Sequence, residues 1–181
     1  MKGIVFFITR RFSMKLDTLY TERLILRQFS KEDLKDYTAI MTNPQVTCFL
    51  GTGKEKTPED VRQVLIHFQN CLDKNGFGVW AVILKESGKL IGHCGFLPLE
   101  NGEDVELLYA FDPSSWGKKI ASEAACICLD YAQKNYHWDF VYALAYPENT
   151  ASIRVLEKLG FTPDEKVLCF GKLLNQFSYK L

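Results

Sequence analysis

Along the chain, stretches of alternating apolar and polar residues give way to stretches repeating at helical spacing, and back again. Leu24, Ile25, Leu26 and Phe29, after Thr21-Glu22-Arg23, predict a first strand. Ser30 stands three residues before Asp33, an N-cap spacing that opens a helix expected to reach about Met41, where Asn43-Pro44 breaks it. Thr57-Pro58-Glu59-Asp60 is a second helix start, with a hydroxyl cap, proline in the first turn and acids at the positive end of the dipole. Val61, Leu65, Phe68, Cys71 and Leu72 then share one face until Asn75-Gly76. Three strands follow with short connections: Val79 to Leu84, Leu90 to Leu97, and Val105 to Phe111. They predict an antiparallel meander. Its third member is almost unbroken in Leu107, Leu108, Tyr109, Ala110 and Phe111, the pattern of a central strand covered on both faces.

After Asp112-Pro113 the period becomes helical, with Ile120, Ala124, Ile127, Cys128 and Tyr131 on one stripe. Val141 to Ala145 reads as a strand, Thr150 to Leu159 as a helix, and Gly160 as its left-handed cap. Val167 to Phe170 and Leu173 to Tyr179 predict a closing hairpin around Gly171. The order is that of an α/β (α+β) domain with a mixed, mostly antiparallel sheet.

Composition narrows the function classes. Hydrophobic residues at 47% and charged residues at 24% suit one folded domain over residues 14–181 and argue against disorder. Lysine plus arginine (22) balance aspartate plus glutamate (22), so the basic excess of a dedicated nucleic-acid binder is missing. None of the six cysteines forms a CxxC pair, which predicts no metal site and buried, reduced thiols of a cytoplasmic protein. Ile4 to Ile8 imitate a secretory signal but are too short and lack a cleavage site. No run approaches the ~20 apolar residues that span a bilayer. Residues 1–13 read either as an extension before a start at Met14 or as an edge strand.

Two stretches carry chemistry. In ELLYAFDPSSWGKKIASEAA, Glu106 to Ala125, a central strand feeds a glycine-containing turn that opens a helix. Free N–H groups and the dipole at a helix start attract anions, and Lys118 and Lys119 add positive charge there. The plainer reading is a strand-to-helix turn with solvated lysines. In ALAYPENTASIRVLEKLGF, Ala143 to Phe161, a second strand ends at a polar corner where Asn149 and Ser152 can face the same cleft; the plainer reading makes Asn149 only an N-cap. Gly51-Thr52-Gly53-Lys54 lacks the spacing of a phosphate loop and reads as a mobile loop near the substrate entrance.

Together these stretches, with TERLILRQFSKEDL from Thr21 and VWAVILKESGKLIGHCGF from Val79, resemble the GNAT superfamily of N-acetyltransferases. The resemblance is strongest to the branch that includes the ribosomal-protein N-terminal acetyltransferases. It implies a GNAT-type sheet flanked by helices and splayed at the central strand. The pantetheine of acetyl-CoA would pair with Tyr109, Ala110 and Phe111. Its pyrophosphate would rest on Trp116, Gly117, Lys118, Lys119, Ile120, Ala121 and Ser122, with Asn149 and Ser152 near the sulfur. The implied reaction moves acetyl from acetyl-CoA to a primary amine, a protein N-terminus or a small molecule, in a monomer or homodimer. Two departures stand out: Lys119 occupies a place where the family favours glycine, and Leu156 one where many members carry an acidic tyrosine. Ser152 or water is then left to protonate the departing thiolate. Glu106 is the base candidate, against the reading of a surface strand carboxylate; His93 is either a second base or a structural residue. Phe49, Leu50, Trp80 and the final hairpin are expected on the acceptor side. A non-catalytic acyl-CoA-binding regulatory module on the same scaffold is the rival, motivated by Lys119 and Leu156. An unrelated nucleotide-binding α/β domain fits less well, because the meander precedes the anion turn.

Overall fold

The computed structural model describes residues 14–99 and 102–181, so both readings of residues 1–13 fall outside it. The elements are β1 (Leu19–Tyr20), β2 (Leu24–Arg27), α1 (Leu34–Met41), α2 (Pro44–Thr47), α3 (Pro58–Asn75), β3 (Val79–Leu84), β4 (Lys89–Pro98), β5 (Val105–Phe111), α4 (Ile120–Asn135), β6 (Phe140–Ala145), α5 (Thr150–Leu159), β7 (Thr162–Cys169) and β8 (Lys172–Lys180). They form an eight-stranded sheet in the order β1-β2-β3-β4-β5-β6-β8-β7. Every neighbouring pair is antiparallel except β5 and β6.

The helix signals act as their chemistry dictates. Thr57 accepts the Asp60 N–H (3.2 Å) while Asp60 accepts the Thr57 N–H (2.7 Å), a reciprocal cap on α3. Gly76 and Gly160 close α3 and α5 in left-handed conformations. Ser30 donates its N–H to Asp33 (2.7 Å), and Arg27 grips the same carboxylate through two nitrogens (2.6 and 2.7 Å). A 3-10 turn, Lys31–Asp33, therefore precedes α1, which starts later than the pattern suggested.

Three further elements differ from expectation. β1 has two residues, too few to leave a pattern. Asn43-Pro44 ends α1 but also starts α2, because the Asn43 side chain accepts the Gln45 N–H (3.0 Å). β7 begins at Thr162, five residues before the predicted Val167. Its first residues, Thr-Pro-Asp-Glu-Lys, are exposed on the sheet's edge, where polar and charged side chains replace alternation.

Each face of the sheet carries its own core. Trp80, Phe96, Leu107, Ala124, Cys128 and Leu156 pack beneath α4 and α5. Tyr37, Ile40, Val61, Phe68, Val79 and Ala110 pack beneath α1 and α3. β5 contributes to both, as its apolar run implied. At Gly92 a Cβ would lie 2.1 Å from the Ala110 carbonyl oxygen, so this close approach of β4 to β5 requires glycine. All six cysteines are free, but only Cys71, Cys94 and Cys128 are buried; Cys48 and Cys126 are exposed. Residues two apart on a helix point in different directions, so Cys126 faces solvent while Cys128 packs inward, its Sγ 3.7 Å from that of Cys94. Among the described residues no helix is long and apolar enough to cross a membrane.

Candidate active site

β5 and β6 share one registered pair, Glu106 with Tyr142. Beyond it β5 continues to Phe111 and β6 to Ala145 without further pairing, so the sheet opens between them. Alternation sets what lines this gap. Leu107 and Phe111 point toward α4, and Tyr109 packs on the same side. Glu106 falls with Leu108 and Ala110 on the α1/α3 side.

At the gap's mouth, Asp112 caps a 3-10 turn by accepting the Ser114 N–H (2.8 Å). The Trp116 indole then donates to the Phe111 carbonyl (2.9 Å), so of the three residues expected to pair with pantetheine, Phe111 has its carbonyl already in use. Gly117 and Lys119 follow at φ 73° and 62°. The left-handed conformation that makes lysine unusual at 119 is therefore present. The first bond of α4 runs from the Glu123 N–H to the Lys119 carbonyl (3.1 Å), leaving the N–H groups of Ile120, Ala121 and Ser122 without helical acceptors. Lys118 and Lys119 are exposed beside them.

Sequence reasoning missed the clamp on this turn. The Arg23 guanidinium donates to the Lys118 carbonyl (2.9 Å) and to Glu123 (2.7 Å). Glu123 also accepts the Arg23 N–H (3.0 Å) and the Thr21 hydroxyl. Partial burial pushes the Glu123 carboxyl upward, but these bonds outweigh it and hold it below the ordinary range. The signal was present as Thr21-Glu22-Arg23 and Ser122-Glu123-Ala124, but nothing local joins positions a hundred residues apart.

Inside the gap, burial pushes the pKa of Glu106 up to about 7, restrained by a hydrogen bond from the Leu144 N–H. On the opposite face the Tyr109 hydroxyl lies 2.9 Å from the Ser152 hydroxyl. Asn149 is the N-cap of α5, its Oδ1 accepting the Ser152 N–H (3.1 Å), so the plainer reading accounts for that oxygen. Leu156 is buried in the core. His93 is only 2% exposed, lies 3.0 Å from the Tyr37 hydroxyl, and is driven down to about 3 by burial. It is a neutral core residue.

Trp80 corrects an expectation. It is fully buried under Phe96 and Tyr131, donating to the Asp17 carbonyl (2.8 Å), because an interior strand position aims it at α4. Phe49 does line a cleft of about 480 Å³, with Cys48, Tyr146, Glu148, Lys172 and Leu173. Tyr146 ties the neighbouring glycine loop down by donating to the Gly51 carbonyl (2.8 Å). It stands just past the end of β6, two residues beyond Leu144.

A helix start with unclaimed N–H groups and two lysines suits a diphosphate, and a strand gap suits an extended amide-bearing arm. Residues 23–162 match the model of the acetyltransferase (GNAT) domain. The chain belongs to the GNAT acetyltransferase family. It is 33% identical over 176 residues to an uncharacterized N-acetyltransferase, p20, of Bacillus licheniformis, covering 92% of this chain and 96% of that one. Its fold is similar to the crystal structure of an acetyltransferase from Agrobacterium tumefaciens, with a TM-score of 0.81 at 26% identity, covering 92% and 95% of the two chains. It also shares its fold with a ribosomal L7/L12 α-N-protein acetyltransferase, RimL, solved with coenzyme A (TM-score 0.76, 14% identity, 91% and 98% covered). As a GNAT acetyltransferase the protein is an enzyme, and the regulatory-module reading falls with that.

Proposed function

We propose that this protein transfers acetyl from acetyl-CoA to a primary amine by direct attack in a ternary complex. The observation that carries this reading is the parting of β5 from β6, with Glu106 on one face and the Tyr109–Ser152 hydroxyls on the other. Pantetheine enters the gap along Tyr109, Ala110 and Phe111. The diphosphate rests on the turn and helix start from Trp116 to Ser122, and Asn149 and Ser152 flank the sulfur. The coenzyme A complex of the RimL neighbour supports the choice of donor. Free thiols at all six cysteines fit a reducing cytoplasm.

The amine must be neutral to attack. Deprotonation at pH 7 costs ~1.4 kcal/mol for an α-amine with pKa near 8 and ~4.6 kcal/mol for a lysine near 10.4. A base raised toward neutrality matches the first task, and burial pushes Glu106 up to about 7. On this reading an N-terminal α-amine is the acceptor that needs least help from the base. The amine nitrogen bonds to the thioester carbon, its proton passes to Glu106 through a water, and the C–S electron pair leaves on sulfur. Calorimetric titration with acetyl-CoA, followed by thiol release against N-terminal peptides and small amines, tests the reading. Saturable binding with transfer to an α-amine is the expected result; failure to bind any CoA thioester overturns it.

A further inference from the structure

The geometry points to Tyr109 as the residue that positions the Ser152 hydroxyl as a hydrogen-bond donor to the departing sulfur of CoA. This rests on the acetyl transfer proposed above and assigns the leaving-group side of the same gap. Leu156 is 1% exposed and carries no hydroxyl, so that position supplies no donor. Among the described residues the side-chain partner of the Ser152 hydroxyl is the Tyr109 phenol, reaching from β5 across to α5 at 2.9 Å, with the Ser152 carbonyl a longer 3.4 Å from the same phenol. Ser152 is otherwise fixed through its N–H on Asn149. Its side chain therefore has a set place, and the phenol decides which way its proton points.

The roles within the pair follow from acidity. An alcohol is a far weaker acid than a thiol, so full proton transfer from Ser152 to a thiolate runs steeply uphill. A hydrogen bond to that thiolate is favourable, and bonds to charged groups are the stronger kind. Either hydroxyl can donate at this distance; in the proposed arrangement the phenol gives its proton to the Ser152 hydroxyl oxygen at 2.9 Å in preference to the Ser152 carbonyl at 3.4 Å. That frees the Ser152 proton to face the gap, and each donation strengthens the next. Burial pushes the phenol well above its ordinary range, so it remains a donor at every working pH. When the C–S bond breaks, its electron pair goes to sulfur. Ser152 holds the thiolate by hydrogen bond, Tyr109 keeps its proton, and the thiolate takes a proton from solvent as CoA leaves. The base on the opposite face plays no part in this step.

The test is a double-mutant cycle on the full-length enzyme with acetyl-CoA and the acceptor found in the amine panel. Tyr109→Phe is expected to lower kcat about tenfold and Ser152→Ala between about tenfold and a hundredfold, with KM for acetyl-CoA within about twofold of the parent. The double variant should be no slower than Ser152→Ala alone, because Tyr109 acts only through Ser152. A second readout needs no turnover: the ultraviolet absorbance of the thiolate, followed while titrating bound CoA. The bound thiol of the parent should ionise at lower pH than free CoA, and Tyr109→Phe should reverse the shift in part. An unchanged kcat in Tyr109→Phe, multiplicative losses in the double variant, or a bound thiol titrating like free CoA each overturns the assignment. A parent that binds no CoA thioester instead overturns the acetyl-transfer reading, a distinguishable result.

Discussion

At the scale of single residues, two buried groups pull the pH dependence of stability in opposite directions. Glu106 titrates at about 7 in the folded protein against an ordinary 4.5, so the folded state holds an extra proton between those values. Its contribution is intact below pH 4.5 and is lost as pH rises toward 7, by at most about 3 kcal/mol because the open strand edge admits water. His93 is the reverse: moved from 6.5 to about 3, it favours the folded state above 6.5 and withdraws that support as pH falls. Between pH 4.5 and 6.5 the two nearly cancel. Glu106→Gln should raise the melting temperature at pH 8 by on the order of 5 °C and expose an acid-sensitive limb that the parent hides. The same variant should lose about a hundredfold in kcat with acetyl-CoA affinity unchanged. A parent kcat/KM that does not climb through pH 7 would remove Glu106 as the base. Lys119 gives a second case. Its left-handed conformation costs about 1 kcal/mol, which Lys119→Gly relieves while adding a similar freedom to the unfolded chain. Melting temperature should barely move and calorimetry should find acetyl-CoA binding within about fivefold; abolished binding would mark the ammonium as a phosphate ligand. Both positions were legible in the sequence. The surroundings that set their properties were not, since desolvation depends on which distant strand lies alongside.

Among elements, those with local chemistry at their ends were the readable ones. Thr57-Pro58-Glu59-Asp60 fixes the start of α3 and Gly160 the end of α5, because caps act within four residues. β1 and the first half of β7 were not readable: one is too short, and the other is a charged edge that needs β8 to become a strand. The start of α4 combines both situations. Its turn was visible as Trp116-Gly117-Lys118-Lys119, but its rigidity comes from the β1–β2 connection through Arg23, Thr21 and Glu123. Arg23→Met removes the donor from the Lys118 carbonyl and leaves Glu123 with one side-chain partner fewer. KM for acetyl-CoA should rise about five- to tenfold with kcat nearly unchanged. Arg23→Lys should recover only part, since a single ammonium cannot reach carbonyl and carboxylate in the fork geometry of guanidinium. Steady-state kinetics at saturating acceptor separate these outcomes, and a fall in kcat alone would assign Arg23 elsewhere.

Across the whole molecule, one parallel contact in an otherwise antiparallel sheet opens the gap that forms the candidate site. Sequence patterning marked β5 as central and β6 as a strand, but no local rule says that β6 lies between β5 and β8 or that it parts from β5 after Glu106. That parting lets one sheet present a carboxylate on one face and a hydroxyl pair on the other. The proposed acceptor path rests on the same geometry. Tyr142 and Leu144 share the Glu106 face of β6, and Tyr146, just past the end of that strand, lines the cleft together with Phe49, Lys172 and Leu173. Three segments distant in sequence therefore meet over one ring: Phe49 stands edge-on to Tyr146 at 6.0 Å, and the Lys172 ammonium lies 4.9 Å above it. On the proposed reading, an amine carried in this cleft would approach from the Glu106 face, opposite Ser152. Phe49→Ala removes one wall without touching the gap, so it should raise KM for the acceptor about tenfold while calorimetry finds acetyl-CoA binding unaltered. The opposite pattern, weakened acetyl-CoA with an unchanged acceptor KM, would give the cleft to the donor and require the amine to enter from the α4 side.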